Sequence, residues 1–100
     1  MSNSEFRHMF KYNNIVKCEG RYYPMLFQIK GVNHNDKCIH VRGIQYEYDK
    51  SGELVPVLDE SGNLIYDDVY GTLQSYYNKW YFINNGVVDS SDAFKITIVA

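Results

Sequence analysis

Met25-Leu26-Phe27-Gln28-Ile29-Lys30, then Gly31-Val32-Asn33-His34-Asn35-Asp36, then Cys38-Ile39-His40-Val41-Arg42-Gly43-Ile44 is the stretch that decides the fold. Met25, Phe27 and Ile29 alternate with Leu26, Gln28 and Lys30, the period of a strand with two distinct faces. Gly31 to Asp36 is a turn cluster, with several residues tolerant of positive φ. A further strand runs from Cys38 to Tyr48. Ile39 and Val41 share one of its faces, and Ile44, Tyr46 and Tyr48 continue that face only if Gly43 inserts a bulge, a role glycine suits.

Upstream, Ile15 to Glu19 reads as a short strand closed by Gly20. Ser2 and Glu5 have capping-box spacing. Phe6, Met9 and Phe10 follow at i, i+3 and i+4, which predicts a helix over about residues 4–11 ended by Asn13-Asn14. Downstream, Asp49-Lys50-Ser51-Gly52-Glu53-Leu54-Val55 recurs ten residues later as Asp59-Glu60-Ser61-Gly62-Asn63-Leu64-Ile65. Asp opens such turns by side-chain capping and Gly supplies the left-handed residue, so the pair predicts a meander with strands of about five residues. Tyr46 to Leu54 resembles one unit of the YD repeats of large secreted shells. The second copy lacks the tyrosines, so the likeness is one of hairpin chemistry.

Residues 66–84 fit two patterns. Leu73, Tyr76, Tyr77 and Trp80 lie on one helical face, yet the abundance of Tyr, Trp, Phe and Ile favours two aromatic strands joined at Asn78-Lys79. Asn84-Asn85-Gly86 and Asp89-Ser90-Ser91-Asp92 are turn signals, and Phe94 to Val99 is a terminal strand with Phe94, Ile96 and Ile98 on one face. The expected fold is mainly β: a small twisted antiparallel sheet or small open β-barrel of six to eight short strands, with a short N-terminal helix, in a single domain over 1–100.

Composition agrees. The 100 residues include ten Tyr, nine Asn and eight Ile but only two Ala, a bias away from helix and toward pleated surfaces. Hydrophobic residues make up 45% and charged residues 22%, which excludes a disordered or collagen-like chain. No apolar run reaches membrane-spanning length, and the N-terminus lacks a signal-peptide core, so a cytoplasmic protein is expected. Codons for Tyr, Asn, Ile and Lys are AT-rich, which suggests an AT-rich bacterium or its phage or mobile element. Net charge is −2, giving no global attraction to nucleic acid. Its distribution is uneven. Residues 1–50 carry eight Lys/Arg against five Asp/Glu, residues 51–100 two against seven, and seven acids crowd Glu47 to Asp68 beside the single Lys50.

The chemistry-bearing residues are few. Cys18, His34, Cys38 and His40 are a zinc-compatible set, but their spacing matches no finger, and two half-buried thiols with two surface histidines is the expected arrangement. Neither Asp59-Glu60 nor Asp67-Asp68 converges on one substrate atom, because neighbours on a strand face opposite ways. GxSxG, P-loop, HExxH and dinucleotide glycine patterns do not occur. No catalytic residue, cofactor or metal site is therefore expected. Tyrosines outnumber what a small core holds, and Tyr suits protein recognition. The expected function is a non-catalytic protein-binding module, a phage- or mobile-element-encoded inhibitor or adaptor, meeting a protein partner through Tyr48, Asp49, Glu53, Asp59, Glu60, Tyr66, Asp67 and Asp68. The alternative is a small barrel binding nucleic acid through a basic aromatic face of Arg21, Tyr22, Tyr23, Lys30 and Arg42, with Lys37 beside it.

Overall fold

The computed structural model describes residues 2–20, 24–77, 79–84, 87–88 and 95–99. Ser2 opens helix α1 (Asn3–Met9), its Oγ accepting the Glu5 amide at 3.1 Å, which satisfies one of the unpaired donors at a helix start. The helix ends earlier than the sequence pattern predicts. Phe10 is already extended, its amide closing on the Phe6 carbonyl. That break redirects the apolar face: Phe6 and Phe10 are buried, with ring centroids 4.8 Å apart, whereas Met9 turns outward and is 44% exposed. Each buried Phe contributes about 2–3 kcal/mol of apolar transfer.

Strands β1 (Ile15–Glu19), β2 (Pro24–Asn33) and β3 (Cys38–Ile44) form an antiparallel meander. The excursion β4 (Tyr46–Tyr48) and β5 (Leu54–Pro56) follows, and the meander resumes with β6 (Tyr66–Tyr76), β7 (Lys79–Asn84) and β8 (Val87–Val88). The last strand, β9 (Lys95–Ile98), returns to pair with β1. The main sheet thus has seven strands in the order β8-β7-β6-β3-β2-β1-β9, and β4-β5 is a separate two-stranded sheet. Tyr66–Tyr76 and Lys79–Asn84 are strand, not helix. Asn78, Asn85, Gly86, the turn at Asp89 to Asp92, and Phe94 lie outside the described residues; Ile96 and Ile98 do pack on the core as expected.

Chain length requires the sheet to curl. Six interstrand gaps of about 4.8 Å would put β8 and β9 roughly 29 Å apart in a flat sheet. Seven residue steps from Val88 to Lys95 reach at most about 25 Å. The sheet accordingly bends into a half-barrel. Its inner face holds the main core of Phe6, Phe10, Val16, Cys18, Phe27, Ile29, Ile39, Val41 and Leu73, with Trp80 and Phe82 packed against it.

Two register shifts set which side chains face out. In β2 the pairing with β3 moves from Ile29↔Val41 to Gly31↔His40, leaving Lys30 as an extra residue. This bulge resets the alternation, so that Val32 rejoins the inner face after Ile29. Gly31 to Asn33 therefore belong to the strand rather than to the turn predicted for them. The second shift lies between β3 and β6. Arg42 pairs with Tyr70 and Ile44 with Tyr66, so Asp67 to Val69 stand opposite Gly43.

The surplus thus sits in β6, and Gly43 does not carry Ile44 onto the face of Ile39 and Val41. Ile44 instead points outward into a second core with Ile15, Leu26 and Leu54, against which Tyr46 and Leu64 pack. That core exists because the β4-β5 excursion folds back over one end of the outer face. Its two turns are copies of each other. Asp49 and Asp59 each accept two backbone amides on Oδ1, and Gly52 and Gly62 supply φ of +85° and +82°. β4 and β5, which flank the first turn, have three residues each, shorter than the predicted five, and an isolated bridge at Leu58↔Leu64 flanks the second. No helix among the described residues is long and apolar enough to cross a membrane.

Candidate functional site

Beyond the second core, the outer face of β2, β3 and β6 is open. Cross-strand pairing sets Arg42 beside Tyr70 and His40 beside Thr72. The Arg42 guanidinium lies 4.8 Å from the centroid of the Tyr66 ring and 4.7 Å from that of Tyr70. Each such contact contributes about 0.5–1 kcal/mol at an exposed site. Arg42 Nε donates to the Asp67 carbonyl at 3.1 Å, which fixes the plane of the fork. Lys30, set outward by alternation after Ile29, approaches the same tyrosine: its Nζ is 4.7 Å from the Tyr66 centroid and donates to the Tyr66 hydroxyl at 3.2 Å.

Tyr66 is held from below as well. Its hydroxyl donates to Gln28 Oε1 at 2.6 Å, and Gln28 Nε2 donates to the Asn13 carbonyl. Gln28 is nearly fully buried, and these bonds satisfy it. Tyr66 therefore spans β6, β3 and β2 as a fixed plate, 36% exposed, while Tyr70 beside it is 54% exposed. His40 Nδ1 and Thr72 Oγ1 extend the row at 2.9 Å.

The structure thus brings together Lys30, Arg42 and Tyr66. Arg21, Tyr22 and Tyr23 lie outside the described residues. Lys37 does not join this face: it bonds Asn3 Oδ1 and the His34 carbonyl and lies over the Phe6 ring, fastening the helix to the β2-β3 turn. Three of the acidic candidates, Asp49, Glu53 and Asp59, are engaged locally. The Asp49 carboxylate accepts from the Ser51 hydroxyl and from the amides of Ser51 and Glu53. Those bonds, the hydroxyl first, hold it below the usual carboxylate range. Asp59 caps its own turn, and Glu53 pairs with Lys17 at 3.8 Å. Tyr48, at 62%, and Glu60 and Asp68 are exposed. Asp67 is half-buried, its Cβ beside Gly43.

Tyr70 and His40 are the members of the face that sequence reading missed as partner-binding or nucleic-acid-binding residues. A period of two along β6 places Tyr66 and Tyr70 on one side, but their neighbours Arg42 and Lys30 come from other strands and leave no mark in the local sequence.

The zinc-compatible residues are not assembled. Cys18 is in the inner core, His40 is exposed outside, and His34 Nε2 lies 2.7 Å from an Arg7 guanidinium nitrogen. Among the described residues no three His, Cys, Asp or Glu side chains are placed to hold a metal. Burial pushes the Cys18 thiol up to about 12. Burial also raises Cys38, with the Asp36 charge adding to it. Both stay protonated at neutral pH, unlike a nucleophilic cysteine. No protein-family model, curated protein or solved structure matches the chain.

Proposed function

We propose that this chain is a non-catalytic protein-binding module of the inhibitor or adaptor type, with the outer face around Arg42, Tyr66 and Tyr70 as the centre of its contact surface. The observation that carries this reading is the guanidinium of Arg42 held within 5 Å of both tyrosine rings on a rigid strand pair. Tyr and Arg are the side chains that most often anchor protein interfaces, and a preordered anchor loses little entropy on binding. The exposed residues of the acidic meander, Tyr48, Glu60 and Asp68 among them, form the rim, where charge acts on encounter rate more than on affinity. Two unpaired cysteines suit a reducing, cytoplasmic setting.

The test is co-purification from the native host with wild type and with folded Arg42→Ala and Tyr70→Ala variants. A protein partner captured by wild type should be lost by both, each truncation costing about 2 kcal/mol or more. Equal capture by all three places the interface elsewhere and removes this reading. A second reading, nucleic-acid binding, is favoured by the convergence of Lys30 and Arg42 on one aromatic ring, since small barrels stack bases beside such cations. Oligonucleotide recovered in place of protein, with loss on Arg42→Ala, would establish it.

A further inference from the structure

We infer that the open outer face receives an acidic peptide segment, whose carboxylates sit between Lys30 and Arg42 with apolar side chains against Tyr66 and Tyr70. This rests on the proposed protein-binding role and names the chemistry of the partner.

Three observations lead there. First, Lys30 and Arg42 are unneutralised. Their cationic groups both lie within 5 Å of the centroid of one ring, and so within about 10 Å of each other, roughly a Debye length at physiological salt. Among the described residues neither has a carboxylate within ion-pair distance; the ion pairs found there are those of Lys17 with Glu19 and Glu53. Two like charges this close raise the free energy of the unbound face, and an arriving carboxylate lowers it.

Second, the backbone positions both cations. Lys30 follows the inward Ile29, so strand alternation sets its ammonium over the outer face, and the register shift just after it restores Val32 to the core. The Arg42 fork is also fixed, by the Asp67 carbonyl on Nε and by the rings on either flank, and its terminal nitrogens have no hydrogen-bond partner among the described residues. A planar fork with free terminal N–H groups matches a carboxylate in two-point geometry.

Third, the surroundings select a short anion over a long one. Nucleic-acid affinity grows with the number of phosphates neutralised, and this face offers two strong cations beside the exposed Asp68, which alternation puts on the side of Tyr66 and Tyr70, on a chain of net charge −2. A polyphosphate backbone running beyond the two cations meets that carboxylate. A peptide with one or two acidic side chains flanked by apolar ones meets the tyrosines.

The probe is a capped twelve-residue peptide with Glu and Leu alternating, set against its Gln/Leu counterpart and a twelve-nucleotide single-stranded DNA. Binding is read from amide and Arg Nε shifts of the isotope-labelled whole chain. The Glu peptide is expected to shift His40, Arg42, Tyr66 and Tyr70, and to weaken at least tenfold between 50 and 300 mM salt or on Arg42→Gln. Lys30→Gln, an exposed change that leaves the core untouched, is expected to weaken it several-fold. Equal binding of the Gln peptide, shifts confined to another face, or no shifts at millimolar peptide each overturn the inference. If those results accompany a partner that still depends on Arg42 and Tyr70, the acidic chemistry fails and the protein-binding role stands. DNA binding tighter than the Glu peptide at these same residues overturns both.

Discussion

The ring of Phe82 occupies the volume that a side chain on Gly71 would fill. A Cβ at Gly71 would stand 2.4 Å from Cε2 and Cζ of Phe82 and 2.8 Å from the carbonyl of Ile83. Phe82 in turn stacks on Phe27, with ring centroids 5.7 Å apart, so it cannot retreat without disturbing the core. Gly71→Ala is therefore expected to destabilise the protein by about 1–3 kcal/mol, the usual cost of overpacking. In a domain of this size that lowers Tm by roughly 4–8 °C for each kcal/mol. Gly71→Ala with Phe82→Leu should recover part of the loss, measured by urea denaturation. Additive losses in the double variant would show that the two positions do not compete for space.

The two cores should fail separately. Leu54 is buried with Ile15, Leu26 and Ile44 on the outer face, whereas Leu73 lies in the inner core against which Trp80 packs. Leu54→Ala is expected to cost about 2–5 kcal/mol and to shift the methyl signals of Ile15 and Ile44 while Trp80 fluorescence stays native. Leu73→Ala should alter Trp80 emission instead. A Leu54→Ala protein with disturbed Trp80 emission would mean that the outer core is not an independent unit.

The thiols give a prediction with a definite sign. Cys18 has its pKa raised from 9.0 to about 12 by burial. The folded state thus holds the proton more tightly than the unfolded chain does. Its contribution is complete below pH 9 and declines as pH rises from about 9 toward 12. At pH 10 the loss is on the order of 1 kcal/mol for this group alone. Cys18→Ala should lower stability at pH 7 but flatten the alkaline slope relative to wild type. Native protein at pH 8 should leave Cys18 unalkylated by iodoacetamide until denaturant is added, as peptide mass mapping would register. Rapid native labelling at Cys18 would contradict its burial.

Acid acts on the excursion instead. The folded pKa of Asp49 lies below its ordinary 3.8, held there by the Ser51 hydroxyl and then by the Glu53 amide. A depressed carboxyl stabilises above the unfolded value and ceases to as pH falls through the folded one. Protection of the Ser51 and Glu53 amides, measured as exchange relative to the intrinsic rate at each pH, is therefore expected to fall below pH 3.8, and to be lower in Asp49→Ala at every pH above that. Asp49→Asn, which keeps one acceptor oxygen, should fall between the two. Unchanged exchange in Asp49→Ala would remove the capping role.

These four tests bear on features of unequal legibility. The Ser2 cap, the alternation of β2 and the twin Asp-Ser-Gly turns were readable because each depends on residues within a few positions of one another. The strand content of 66–84 was readable from residue type, although helical spacing competed with it. The face around Arg42 was not. Tyr66 stands beside Asp67 and Asp68 in sequence and invites grouping with them, yet its ring contacts residues 24 and 36 positions away. The destination of Ile44 was likewise unreadable, since both faces of β3 are apolar at that end and only the folded-back excursion decides which core receives it.

Local chemistry in the sequence determined an antiparallel, tyrosine-rich β domain with a capped helix and a repeated turn. Side-chain periodicity, capping and φ preference act over a few residues and need no distant partner. Tertiary structure alone decided the curl, the bulge at Lys30 and the second core, and with them which charges lie side by side. Register between strands is a balance of burial over the whole sheet, and one extra residue in one strand moves every later side chain to the other face. The cation-flanked tyrosine plate comes from that balance: β2, β3 and β6 each supply part of it, and only their registration brings Lys30, Arg42 and Tyr66 within reach of one another.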